Sequence, residues 1–66
     1  MKIKVNNEPR EVESGLTVAA LVEMLCDHKG GVAVAVNSSL VRRPQWPERV
    51  LEENDDVVII NAAYGG

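Results

Sequence analysis

Only one stretch of this 66-residue chain carries a clear helical rhythm of apolar residues. Val18, Leu21, Val22 and Leu25 recur at the spacing that lines one face of an α-helix. Elsewhere the chain alternates, runs in short β-branched stretches or turns. A sheet has two faces that need cover, and one helix covers one of them. A chain built this way is expected to be α+β, with a mixed sheet of four to five strands curled around the single helix. Its core is aliphatic, because fourteen residues are Val or Ile and none is Phe.

The order of elements follows from local signals. Lys2-Ile3-Lys4-Val5 alternates and puts Ile3 and Val5 on one face of a strand. Asn6-Asn7-Glu8-Pro9 reads as a turn, and Arg10 to Glu13 as the returning strand of a hairpin around Val12. Thr17 is placed to cap the helix, since its hydroxyl can accept from a first-turn amide. Leu16 and Leu21 fit a hydrophobic staple across that cap. His28 and Lys29 suit the negative end of the helix dipole, and Gly30-Gly31 supplies the stop. Val32 to Val36 reads as a buried strand, with Val32, Val34 and Val36 toward the helix and Ala33 and Ala35 away from it. Asn37-Ser38-Ser39 turns the chain into Leu40-Val41. Two prolines keep Arg43 to Pro47 out of a central strand, so a short helical turn is expected there. Val50-Leu51 reads as a brief extended piece or turn and Glu53-Asn54-Asp55 as a turn. Val57 to Ile60 is the last strand.

Composition excludes several classes. Ten acidic against seven basic residues give a net charge of −3, without the long basic face that nucleic acid requires. One cysteine makes no internal disulfide. No apolar run exceeds Val32–Val36, which is too short to span a bilayer. The first residues lack the apolar region of a signal peptide. The expectation is a cytoplasmic protein of one domain, residues 1–66, with a flexible tail over 62–66.

Side-chain catalysis finds little support. Cys26 and His28 lie two apart on a helix and do not share a face. Cys26 reads as a small, partly buried thiol. Two potential ligands fall short of a structural zinc site. Glu52, Glu53, Asp55 and Asp56, and Glu8, Glu11 and Glu13, read as solvated faces. No Gly-rich phosphate loop is present. The end of the chain is the remaining candidate. Gly65-Gly66 carries no side chains, so it can enter a channel that a larger residue would block. Five residues from Ala62 reach roughly 17 Å when extended. The α-carboxylate at the tip is ionised at neutral pH and can attack the α-phosphorus of ATP. The tail by itself favours a frayed terminus over a functional one.

Position by position, the chain resembles the ThiS family, the sulfur carriers of thiamine biosynthesis. The resemblance covers nearly all of it: Gly15-Leu16-Thr17-Val18 with Leu21, Val34-Ala35-Val36-Asn37, Val41-Arg42-Arg43, Trp46, Asp55-Asp56-Val57-Val58-Ile59 and Gly65-Gly66. It implies a ubiquitin-like β-grasp fold. It also implies that the protein is a carrier and not an enzyme, and binds no cofactor itself. An adenylating, ThiF-like activating enzyme would use ATP and Mg to adenylate the Gly66 carboxylate. Sulfur from a donor such as cysteine desulfurase would convert it to a thiocarboxylate. A ThiG-like thiazole synthase would take that sulfur. The free carrier is expected to be a monomer. Asn54-Asp55 stands where the family often has Gly-Asp, and Arg42 where it often has Pro. Tyr64 is bulkier than the family's usual residue and is the tail position that would alter partner choice.

Strand alternation then suggests a docking face. Val58 and Ile60 would point away from the helix, beside Ala33 and Ala35. The alternative is that the segment around Trp46 covers them. Trp46 is expected to be a core lid, and Arg42, Arg43 and Arg49 a solvated rim. Two other readings compete with the thiamine carrier: a small subunit of molybdopterin synthase, and a ubiquitin-like binding module or modifier.

Overall fold

The structure is a computed structural model that describes residues 1–25 and 31–61, with only the backbone of Asn61. Cys26, His28, Lys29, Gly30 and the tail from Ala62 to Gly66 lie outside the described residues. The elements are β1 (Lys2–Val5), β2 (Glu8–Glu11), α1 (Val18–Leu25), β3 (Val32–Val36), β4 (Ser39–Val41), a 3₁₀ turn (Arg43–Gln45) and β5 (Asp56–Asn61). The strands form one sheet in the order β2-β1-β5-β3-β4. β1 and β5 run parallel and the other neighbours antiparallel. This is the mixed sheet wrapped on one helix that defines the β-grasp.

The helix begins where the side chains predict. Thr17 Oγ1 accepts from the Ala20 amide at 3.1 Å, which satisfies one of the unpaired donors of the first turn. Val18, Leu21 and Val22 are buried against the inner sheet face, which supplies Ile3, Val5, Val34, Val36 and Val57. Leu16 packs at the margin of the same cluster. Leu51 is only 2% exposed. It is held by a bond from its amide to the Leu16 carbonyl, beside a single bridge between Thr17 and Val50.

The hairpin differs from the sequence reading. Its turn is Asn6-Asn7 alone, both left-handed at φ 52° and 70°, and β2 already includes Glu8 and Pro9. Pro9 sits opposite Lys4. Met1 and Val12 exchange backbone bonds at 2.6 and 2.8 Å. Counting back in twos, Lys4–Pro9 is a non-bonded pair. The missing proline donor would face outward from an edge strand, so the sheet loses nothing. The second hairpin repeats this two-residue turn at Asn37-Ser38, with φ 52° and 72°. Ser39 therefore belongs to β4 instead of the turn.

The acidic turn before β5 is also more built than expected. Asp55 is not on a solvated face but buried. Its carboxylate accepts from Asn37 Nδ2 at 3.0 Å and from the Glu52 amide at 2.8 Å. Asn37 completes the link by accepting the Asp56 amide at 3.0 Å. The Asn37 carboxamide, bonded to Asp55 and Asp56, thus ties the β3–β4 turn to the start of β5.

Candidate functional site

The tail follows β5 in sequence, and β5 is the middle strand of the five. Its residues Val57-Val58-Ile59-Ile60 are all β-branched, which suits a pleated central strand. Successive side chains take opposite faces. Val57 is fully buried and Ile59 packs against the core, whereas Val58 and Ile60 are 40% and 57% exposed.

The register assembles an outer apolar face around those two residues. Ala33 lies opposite Ile60, and Ala35 opposite Val58. On its other side Ala35 lies opposite Leu40, which is 68% exposed. Leu40, Ala35 and Val58 form one row across three strands, and Ala33 with Ile60 a second. The small alanines leave their larger neighbours standing clear. Leu40 was absent from the sequence-derived face, although its alternation with the inward Val41 carries the signal. Toward β1 the same face turns polar, with Lys2, Lys4 and Asp56 around a shallow depression that Pro9 also lines.

Trp46 does not cover this face. Its ring is buried in the core cluster on the helix side, with Nε1 donating to the Val41 carbonyl at 2.9 Å. Its own carbonyl accepts from the Ala19 amide at 3.1 Å. The Arg43 guanidinium lies 5.2 Å from the Trp46 ring centre, and Arg49 Nη1 donates to the Val50 carbonyl at 2.8 Å. Arg42 and Arg43 are exposed. Among the described residues, no group of three or more His, Cys, Asp or Glu side chains is placed to hold a metal ion. No helix there is long and apolar enough to cross a membrane.

The base of the tail is gripped by one further side chain. The Asn6 carboxamide meets both backbone groups of Ile59: Oδ1 accepts from the amide at 2.8 Å, and Nδ2 donates to the carbonyl at 3.3 Å. The sequence pattern shows Asn6 only as a turn residue.

The candidate tip itself, Tyr64-Gly65-Gly66, is outside the described residues, so comparison with known proteins has to carry its assignment. The profile of the ThiS family matches residues 3–66. This chain belongs to the ThiS family. It is 30% identical to the Sulfur carrier protein ThiS of Escherichia coli, with the whole of both chains covered. It is 35% identical over all 66 residues to part of a Thiazole synthase from Magnetococcus marinus, of which it spans 20%. Its fold matches the crystal structure of the ThiS thiamine biosynthesis protein from Geobacter metallireducens with a TM-score of 0.85 at 25% identity, and both chains are fully covered. A solution structure from the same organism matches with a TM-score of 0.81, over the whole of this chain and 88% of that one. The ThiS match includes Tyr64, Gly65 and Gly66, so the Gly-Gly end lies within the family's pattern.

Proposed function

We propose that this chain is a sulfur carrier of thiamine biosynthesis that works through the carboxylate of Gly66. The observation that carries the reading is the end-to-end match with a sulfur carrier of the same family, reaching the Gly65-Gly66 terminus. The chemistry needs a free carboxylate on a slender, side-chain-poor tail. Gly66 attacks the α-phosphorus of ATP, releasing pyrophosphate and leaving an acyl adenylate. The outer sulfur of a cysteine desulfurase persulfide then displaces AMP to give an acyl disulfide, and a thiol reductant cleaves its S–S bond to leave the thiocarboxylate. A ThiF-like activating enzyme binds the ATP and Mg and supplies the catalytic groups. The carrier is a co-substrate, and its side chains take no part in bond making. The carrier is expected to work in the cytoplasm.

Thiazole synthase is the acceptor this reading favours. A protein of that name contains a segment resembling this whole chain, which fits a carrier and a synthase that act together. The outer face of Val58, Ile60, Ala33, Ala35 and Leu40 supplies the docking surface, because it is apolar, uncovered and continuous with the strand that leads to the tail. Tyr64 then sets how easily the tail enters a partner's channel.

Deleting Gly65-Gly66 tests the assignment. The truncated protein is expected to keep its fold and to lose all thiocarboxylate formation with the activating enzyme, ATP and a sulfur source. Full retention of its cellular activity would identify a binding module that acts through the sheet alone.

A further inference from the structure

We propose that Asn6 is a positioning residue for loading the carrier, holding β5 in the direction from which the tail reaches the activating enzyme; this deepens the carrier reading and rests on it. β1 accompanies β5 only as far as Val5 opposite Val57, with one more bond from the Asn6 amide to the Val57 carbonyl at 2.8 Å. There the chain turns away into the hairpin. The next backbone groups on that side of β5 are the N–H and C=O of Ile59. The Asn6 carboxamide meets both, at 2.8 and 3.3 Å.

A carboxamide carries one acceptor and a donor group, as a peptide unit does. Asn6 therefore stands in for the peptide that a longer β1 would have offered. The backbone constrains the choice. Position 6 is left-handed, at φ 52°, where Gly, Asn and Asp are tolerated best. Of these three, only Asn can both accept from the Ile59 amide and donate to its carbonyl. One residue thus turns the hairpin and closes the ladder at the base of the tail.

Ile59 lies two residues before Asn61, the last residue of β5. On the opposite edge, β3 pairs with β5 as far as Val32 and Asn61. With Asn6 in place the strand is held on both edges here, Ile59 by Asn6 and its neighbours Val58 and Ile60 by β3. Without it, only β3 holds the segment that leads into the tail. A base free to splay presents Gly66 in fewer productive directions, and apparent affinity falls by the competent fraction. Once the tail is seated, the chemistry is unaltered. The signature is a raised KM for the carrier with kcat retained.

Asn6→Gly keeps the left-handed turn and removes the grip. Asn6→Asp keeps the turn and one acceptor but sets a carboxylate oxygen against the Ile59 carbonyl. Both full-length variants are compared with the parent in two measurements: amide hydrogen exchange by NMR, and carrier-dependent exchange of labelled pyrophosphate into ATP by the activating enzyme. In Asn6→Gly, Ile59 is expected to exchange about tenfold faster while Val34 stays protected. Its KM is expected to rise about three- to tenfold with kcat within about twofold. Asn6→Asp should fall between it and the parent, and it carries the test if the glycine variant folds poorly. Unchanged protection at Ile59, an unchanged KM, or a loss confined to kcat would each overturn the positioning role. A parent protein that supports no pyrophosphate exchange at all would instead overturn the carrier reading beneath it.

Discussion

Val57 and Val58 are adjacent and chemically identical, yet Val57 is fully buried and Val58 is 40% exposed. Ile59 and Ile60 repeat the contrast, with Ile59 packed against the core and Ile60 57% exposed. The pleat sends alternate side chains to opposite faces, and the one helix covers only the inner face. The difference separates two uses of the same residue type. Inner-face aliphatics hold the fold together. Outer-face aliphatics add little to the folded chain, and they assemble with Ala33, Ala35 and Leu40 into the surface proposed for docking.

Substitutions on each face measure how complete that separation is. The largest stability effect belongs to Val57→Ala, which opens a cavity at a fully buried position in the central strand. A loss of about 2–3 kcal/mol is expected in urea unfolding. That is a large share of the roughly 3–10 kcal/mol available to a chain of this size. A loss as small as that of an exposed residue would mean that the inner face is poorly packed. Trp46→Phe comes next. It keeps an aromatic filler but leaves the buried bond to the Val41 carbonyl unmade. About 1–2 kcal/mol is expected, again by urea unfolding, with no effect on partner binding if Trp46 belongs to the inner side alone. The smallest stability effect is expected from the double variant Val58→Thr, Ile60→Thr. It retains β-branching and replaces only exposed aliphatic groups by hydroxyls, so it should cost less than about 1 kcal/mol. Its binding to thiazole synthase, measured by calorimetry, should nevertheless weaken. Unchanged affinity would remove this face from the docking surface.

Much of this arrangement is legible in the sequence. The helix, its Thr17 cap and the alternation along β3 and β5 are local patterns, and the structure shows each one. The departures arise where a distant partner decides the outcome. Pro9 looks like a turn residue until its position opposite Lys4 on an edge strand is known. Asp55 looks solvated by its neighbours in sequence, but it is buried and accepts a bond from Asn37, eighteen positions away. Asn6 shows its turn-forming role locally, and its grip on Ile59 spans fifty-three positions. Leu40 was legible from alternation with Val41, but its place in the outer row depends on the β3–β4 register. The Gly65-Gly66 terminus is a sequence signal throughout. The family match extends over it, and the chemistry proposed for it rests on that match.

Gly66 is proposed to carry sulfur as a thiocarboxylate. The most direct measurement is the intact mass of the Cys26→Ala protein recovered from thiamine-starved cells with its native C-terminus. Removing Cys26 excludes a persulfide on that thiol as the source of added mass. A species heavier by one oxygen-to-sulfur exchange, localised by fragmentation to Gly66, is expected. A protein that stays unmodified, even when supplied with the activating enzyme, ATP and a sulfur source, would contradict that proposal.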